Sequence, residues 1–338
     1  MNKLISIIII NWNGEKWLRG CFRSLKKQSY PNFEIILVDN ASSDNSVEFI
    51  KKYYPKTKII NNKENIGFAG GNNIGYKHTK GQYILLLNND TTVEKDFLKN
   101  FVKAFDEIPN LGSVQSKIVL MNVANKLDVV GSYWTGSSFL YYYGYGKNAS
   151  ATKYNKSMPF FSNKGASMLI KREVIEKVGL FDDDFWCYYE ETDFCHRVWL
   201  AGYECWYYPK AVAHHAMGGT SLAFDNSYIQ FHNFKNKLLS FLKNFEKKSL
   251  MSIIPIYLII NIFLSFTWLL QGKFKHFLAL YKSLWWNVIH LRRTLRKRKI
   301  IQSHRIISDQ AIFKKTKINP KIAYYYFLMK GDLLKFEN

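Results

Sequence analysis

The run Tyr83-Ile-Leu-Leu-Leu87 is apolar enough for a strand buried on both faces, and it breaks off into Asn88, Asn89 and Asp90. Such a run has no packing reason to end on a carboxylate. In open α/β sheets, ligands bind beyond the carboxyl ends of the strands, which is where Asp90 would lie. A carboxylate there can hold a divalent cation, and the cation a diphosphate. The structural alternative makes Asp90 the N-cap of a helix beginning near Thr92.

The flanking sequence supports a sheet of that kind. Ser6–Asn11, Phe33–Asp39 and Lys58–Asn61 also read as strands, and 15–28, 43–54 and 72–80 carry apolar residues at helical spacing. Asp44 offers capping chemistry for the second of these helices. Strand and helix in alternation predict a mostly parallel sheet flanked by helices. The apolar N-terminus runs into Asn11-Trp-Asn-Gly14 without a small-residue cleavage site, so it reads as a first strand. The four cysteines form no C-x-x-C pair, which suits a reducing compartment.

Further on, a strand is expected at 166–170, a short helix at 172–178, and another from Phe194 to Leu200, stopped by Gly202. The aromatic, glycine-containing stretch 133–145 reads as a mobile flap, an acceptor-binding loop or an aromatic-packed excursion.

The net charge of +22 is uneven: residues 226–338 hold 21 Lys/Arg against 4 Asp/Glu. This favours an anionic partner, either nucleic acid or a membrane surface. Within it, 250–270 is free of formal charge and long enough to span a bilayer. A single span would carry the basic tail across against the positive-inside tendency. A hairpin or an in-plane helix avoids that, with 276–290 as a return arm. A buried helix of a soluble bundle is the remaining option. The apolar interruption suits lipid better than a phosphate backbone, so no polymeric nucleic acid is expected as partner.

Asp39 and Asn40 follow the second strand and so share an edge with Asp90. Asp39 can accept a hydrogen bond from a pyrimidine N–H or ribose hydroxyl, or close an Asx turn. Asn65-Ile-Gly-Phe-Ala-Gly-Gly-Asn72 is glycine-rich and opens onto a helix, which allows close approach of backbone to an anion.

Taken together, 6–13, 38–44, 65–75 and 85–91 resemble the inverting family 2 glycosyltransferases of glycosyltransferase-A fold, most of all a rhamnosyltransferase-like branch. The resemblance continues through 165–170, 179–182 and 189–197 and ends near Ser221. It implies a catalytic domain over 1–225 and a basic, apolar helical extension over 226–338, membrane-associated. It implies that Asp39 contacts the base, with Asn11, Asn40, Gly67, Asn72 and Asn89 lining the nucleotide pocket. The family's D-x-D element falls on Asn88-Asn89-Asp90, leaving Asp90 as the carboxylate ligand of Mg2+ or Mn2+; His215 would complete the metal shell.

Glu190-Glu191-Thr192-Asp193 matches the family's acidic element, with Glu191 as the base where the family has Asp, and Asp193 as alternative. Spacing allows at most one of Glu190 and Glu191 to face the sugar. His196 is expected on a helix surface and Arg197 paired with acids. The expected activity is metal-dependent hexosyl transfer from dTDP-rhamnose or a UDP-sugar to a hydroxyl of a lipid-linked, cell-surface glycan, at the cytoplasmic face of the membrane. Its competitors are an inactive sugar-nucleotide-binding scaffold and a basic nucleic-acid-binding protein.

Overall fold

A computed structural model describes residues 3–217, 225–330 and 332–336. The first half alternates as its sequence predicts: β1 (Ile5–Asn11), α1 (Glu15–Leu25), β2 (Phe33–Asp39), α2 (Ser46–Tyr53), β3 (Lys58–Asn61), α3 (Gly67–Lys77) and β4 (Tyr83–Leu87). Then come β5 (Thr91–Val93), α4 (Phe97–Glu107), β6 (Leu111–Leu120), β7 (Gly131–Trp134), β8 (Leu140–Tyr143), β9 (Met158–Pro159), β10 (Ser167–Lys171), α5 (Arg172–Val178), α6 (Glu190–Leu200) and β11 (Glu204–His215). The chain ends in helices: α7 (Asn226–Asn244), α8 (Lys247–Leu270), α9 (Phe274–Ile289), α10 (Leu291–Ser303), α11 (Asp309–Thr316) and α12 (Ile322–Lys330).

Nine strands form one sheet in the order β3-β2-β1-β4-β10-β6-β11-β5, with β9 also on β11. β1 to β4 are parallel, β10 runs antiparallel between β4 and β6, and β11 lies parallel to β6. The period-2 geometry of a strand sends alternate side chains to opposite faces. Ile7, Ile9, Leu85 and Leu87 therefore enter one core with Phe22 and Phe101, whereas Ile8, Leu86 and Val38 enter another. Both faces are covered, which explains why β4 is apolar throughout.

The structure corrects several expectations. Asp90 caps no helix, because Thr91–Val93 is a strand pairing antiparallel with β11. The glycine-rich motif is not a loop ahead of its helix; α3 begins at Gly67 itself. A Cβ on Gly71 or Gly75 would strike Ile10 or Ile8 of β1, so these glycines let the helix lie close on the sheet. The 133–145 stretch is the β7–β8 hairpin, with Trp134 packed among Phe161, Phe241, Phe245 and Phe313. Aromatic packing is what that composition serves.

The extension beyond residue 225 has no core of its own. Phe241, Tyr257, Leu280 and Ile312 share one cluster with Ile8, Met168 and Phe194. The boundary separates stretches of sequence, while the packing is continuous.

Candidate active site

The nucleotide corner is built where β1, β2 and β4 end. Asn11, fully buried, donates from Nδ2 to Asp39 Oδ1 at 2.9 Å and accepts at Oδ1 from Asn89 Nδ2 at 3.0 Å. Asp39 also accepts from Ser42 Oγ at 2.6 Å and Ser42 N at 2.9 Å. Its side chain thus reaches the backbone three residues on, one residue beyond the two-residue Asx turn considered from sequence. Asn40 donates to Gly67 O at 3.1 Å and accepts from Asn62 Nδ2 at 2.8 Å, bracing the entry to α3. Gly67, at φ +77°, leaves room for the Trp186 carbonyl, which a Cβ would meet at 2.2 Å. It allows a close approach of two backbones at the start of α3. Asn72 is buried; Nδ2 donates to Phe68 O, and Oδ1 has no partner. Asp44 accepts from the backbone of both Glu15 and Ser46, steadying the starts of α1 and α2 together.

Beside this lies the phosphate corner. The β5–β11 register sets His215 opposite Thr91, and so next to Asp90. Nε2 of His215 lies 3.2 Å from Asp90 Oδ1, a buried oxygen for which this imidazole is the ion-pair partner. Nδ1 of His215 is 2.7 Å from Asp128 Oδ2, and Asn88 Nδ2 is 3.3 Å from Nε2. Lys164 Nζ grips both Asp128 oxygens at 2.6 and 2.7 Å. Burial opposes ionisation of Asp128, yet Lys164 and His215 hold its carboxyl down at about 2. Burial likewise opposes the His215 imidazolium, but Asp128 and Asp90 outweigh it and raise the pKa.

These residues suit a divalent cation of a particular kind. Among the described residues, no group of three or more His, Cys, Asp or Glu side chains forms a ready cage. Two ligating atoms converge, a buried carboxylate oxygen and the imidazole nitrogen 3.2 Å from it. Neighbouring ligands of one octahedral Mg2+ lie about 3 Å apart, close to the spacing seen here. The carboxylate behind the imidazole is a familiar means of orienting a metal-binding histidine. A cation held by so few protein groups would complete its shell with water and substrate phosphates, as Mg2+ commonly does.

The third part is the start of α6. Its helix begins at Glu190, four residues earlier than the sequence suggested, so Glu190 and Glu191 occupy the first turn. Tyr188 and Tyr189 immediately before it both have φ near +70°, a conformation that costs non-glycine residues energy and needs outside support. Asn236 of α7 provides some, donating to the carbonyls of Cys187 and Tyr188 at 2.9 and 2.7 Å.

Both glutamates keep a buried Oε2 without a partner. Burial, and then the charge of Glu191, pushes Glu190 well above the usual carboxylate range. Burial raises Glu191 too, while the helix-start N–H groups and Lys164 pull against it.

Asp193 is different. It accepts from Arg197 Nε at 2.9 Å and Asn244 Nδ2 at 2.9 Å, with Lys243 Nζ at 3.2 Å. Burial would raise it, but Lys243 and Arg197 win and lower it. An acid so fully paired is structural, which corrects its candidacy as base; Arg197 pairs as expected. His196 is buried, not on a surface, between Phe161 and Phe245, with Nε2 3.8 Å from Asp309.

Asp39, Asp90, His215 and Glu191 therefore belong to one neighbourhood, joined through Asn11–Asn89 on one side and Asp128–Lys164 on the other. Asp128 and Lys164 escaped the sequence analysis. Both sit in irregular stretches with no motif around them, and only the fold brings them together. The turn at 218–221 expected beside His215 lies outside the described residues.

A mostly parallel sheet with an acid and a histidine at its carboxyl edge, and acids at a helix start across from them, defines a transferase of the glycosyltransferase-A fold. The model of the glycosyl transferase family 2 matches residues 6–179, half of the chain, and the protein belongs to that family. It is 28% identical over 145 residues to the glycosyltransferase GlyG of Streptococcus pneumoniae serotype 4, covering 41% of this chain and 46% of that one. It is 23% identical over 248 residues to the low-salt glycan biosynthesis hexosyltransferase Agl10 of Haloferax volcanii, covering 72% and 77%. The chain thus spans under half of the first relative's length.

In structure it resembles Staphylococcus aureus TarS 1-349 in complex with UDP-GlcNAc, with TM-score 0.59, 15% identity and coverage of 89% and 90%. It also resembles GalNAc-T7 with UDP, GalNAc and Mn2+, with TM-score 0.57, 17% identity and coverage of 72% and 48%. At such identities the likeness concerns the fold.

Proposed function

We propose that this protein is an inverting, metal-dependent hexosyltransferase, moving a sugar from a nucleotide donor to a hydroxyl of a lipid-linked glycan at the cytoplasmic face of the membrane. The observation that carries this reading is the buried Asp90–His215–Asp128–Lys164 chain at the sheet's carboxyl edge, with Lys164 also acting on Glu191, whose Oε2 is buried without a partner. Relatives named for glycan and polysaccharide synthesis support it, and neighbours holding UDP, UDP-GlcNAc or Mn2+ support a nucleotide donor and a cation. The donor sugar is proposed as rhamnose on dTDP or a sugar on UDP.

Asp90 and His215 would hold the cation, whose charge would stabilise the departing diphosphate. Asp128 keeps His215 turned so that Nε2 faces Asp90, and Lys164 keeps Asp128 charged. Asn11, Asp39 and Asn89 shape the nucleotide end. Glu191 takes the acceptor's proton as its oxygen attacks the anomeric carbon opposite the leaving group. Burial raises both Glu190 and Glu191, and the charge of Lys164 acts on Glu191.

A panel of nucleotide sugars, assayed for nucleoside diphosphate release with Mg2+ or with EDTA, tests the proposal. Release dependent on acceptor and metal is expected. No turnover of any donor, or turnover indifferent to EDTA, would overturn it.

A further inference from the structure

Between Lys247 and Ser308 the sequence holds twelve Lys/Arg and no acidic residue. In the same segment many large apolar side chains stand exposed. Met251, Ile259, Phe263, Phe266 and Leu270 of α8 are 79, 67, 71, 56 and 88% exposed, and Trp285, Val288 and Ile289 of α9 are 65, 61 and 56% exposed. Soluble monomers seldom show contiguous apolar surface on this scale.

The opposite face of α8 is already used. Ile253, Tyr257, Asn261, Ser265 and Trp268 recur at helical spacing and are buried. Tyr257 Oη donates to Phe234 O of α7 at 3.3 Å, and Trp268, near the far end of α8, packs its ring on Phe234 at 5.8 Å. Asn287 of α9 donates to Lys235 O of α7 at 3.1 Å. The hairpin α8–α9 is thus held on α7, Ile253 O also accepts from Ser138 Oγ at 3.3 Å, and Tyr257, Trp268 and Leu280 share a core cluster with the sheet.

Its two ends are tied down as well. Before α8, Glu246 N donates to Asp309 Oδ2 at 2.7 Å; after α9, Arg293 pairs with Asp184 at 2.8 Å, and Arg298 donates to Leu242 O at 2.7 Å. α9, at 16 residues, is about 24 Å long and too short to return across a hydrocarbon core of about 30 Å.

From this geometry we infer that the outer face of the α8–α9 hairpin is a docking surface for an anionic lipid leaflet, entering one leaflet in plane without crossing the bilayer. Met251, Ile259, Phe263, Leu270 and Trp285 enter the acyl boundary. The exposed Lys248, Lys273, Lys275, Lys282, Arg292 and Arg296 meet the headgroups. The charge selects the occupant: a second copy seated on this face would oppose cation to cation, whereas an anionic leaflet complements it. The inference deepens the membrane placement of the proposed function, but rests on surface and packing alone, so it stands whether or not the donor reading does.

The test is flotation of the full chain with vesicles of phosphatidylcholine alone or with roughly a third phosphatidylglycerol. Flotation is expected with the anionic vesicles, weakened by salt and lost in Ile259→Ser/Phe263→Ser. In Arg292→Glu/Arg296→Glu it should fall several-fold. Trp285 fluorescence, read as the difference from Trp285→Phe, should be quenched by lipids brominated near the headgroup. Equal flotation of wild type and Ile259→Ser/Phe263→Ser would overturn the inference, as would a stable dimer by light scattering that these substitutions dissolve. Access of protease to the C-terminus only from the far side of sealed vesicles would show a crossing helix and overturn it too.

Discussion

The nucleotide corner and the acid corner sit side by side on one sheet edge, yet they differ in a way that divides their work. Around Asn11, Asp39 and Ser42, side-chain oxygens and amides are closed into a network before any ligand arrives. Around Glu190 and Glu191, buried oxygens wait without partners, and beside them Asp90 Oδ1 meets only the His215 imidazole. Leaving a buried polar atom unmade costs about 1–3 kcal/mol, so such atoms mark where a ligand supplies what the protein withholds. The first corner is a preformed mould; the second is poised for reaction.

The sharpest way to break this contrast is to remove the waiting groups. Glu191→Gln and Asp90→Ala should each lower transfer by about 10²–10⁴-fold, with the melting temperature unchanged or raised in the first and lowered in the second, which takes a partner from buried His215. Full activity in either variant would remove it from the mechanism. Asp193→Ala should show the reverse pattern. It removes the only carboxylate among the described residues that Arg197 pairs with and one of the two around Lys243, which keeps Asp182, and should cost about 3–5 kcal/mol in denaturant unfolding. Should Asp193→Ala unfold like wild type, the ion-pair network has been misjudged.

Asp128→Asn tests the support behind the phosphate corner. Loosening a group behind a metal-binding histidine typically costs 10–100-fold in metal affinity, and titration of Mn2+ with UDP present would measure it. Unaltered affinity would mean that His215 needs no such brace.

A smaller effect concerns Glu190. Its folded pKa lies well above 4.5, so the folded state binds its proton more tightly than the unfolded chain does. That contribution to stability is full below about 4.3 and is lost as pH rises through the folded value. Glu190→Gln should therefore stabilise the protein more at pH 8 than at pH 4, as thermal melts would show. A gain independent of pH would contradict the assignment. In the preformed corner, Ser42→Ala should cost only about 1 kcal/mol and act mainly on donor KM, which steady-state kinetics would reveal.

The two corners were unequally legible in the sequence. Asn11, Asp39 and Asp90 follow apolar runs, and a strand's end is visible without knowing its neighbours. The acid corner was half visible. Glu191 stands in a recognisable acidic run, but so does Asp193. Which acid is free and which is locked depends on Lys243 and Asn244, some fifty residues away on α7. The glycine-rich motif misled for a related reason: glycine permits close approach but does not say what approaches, and here it is β1 and Trp186.

Local pattern by itself determined the alternation of strand and helix, the apolar core on both sheet faces and the carboxylates at the sheet's edge, because periodicity and chain reversal act over a few residues. Tertiary structure alone decided that Asp128 and Lys164 stand behind His215, that Asn236 steadies the strained turn before Glu190, and which side of α8 is left bare. Those outcomes depend on which distant segments compete for the same buried hydrogen bonds and the same apolar surface, and such competition is settled only when the chain has closed on itself.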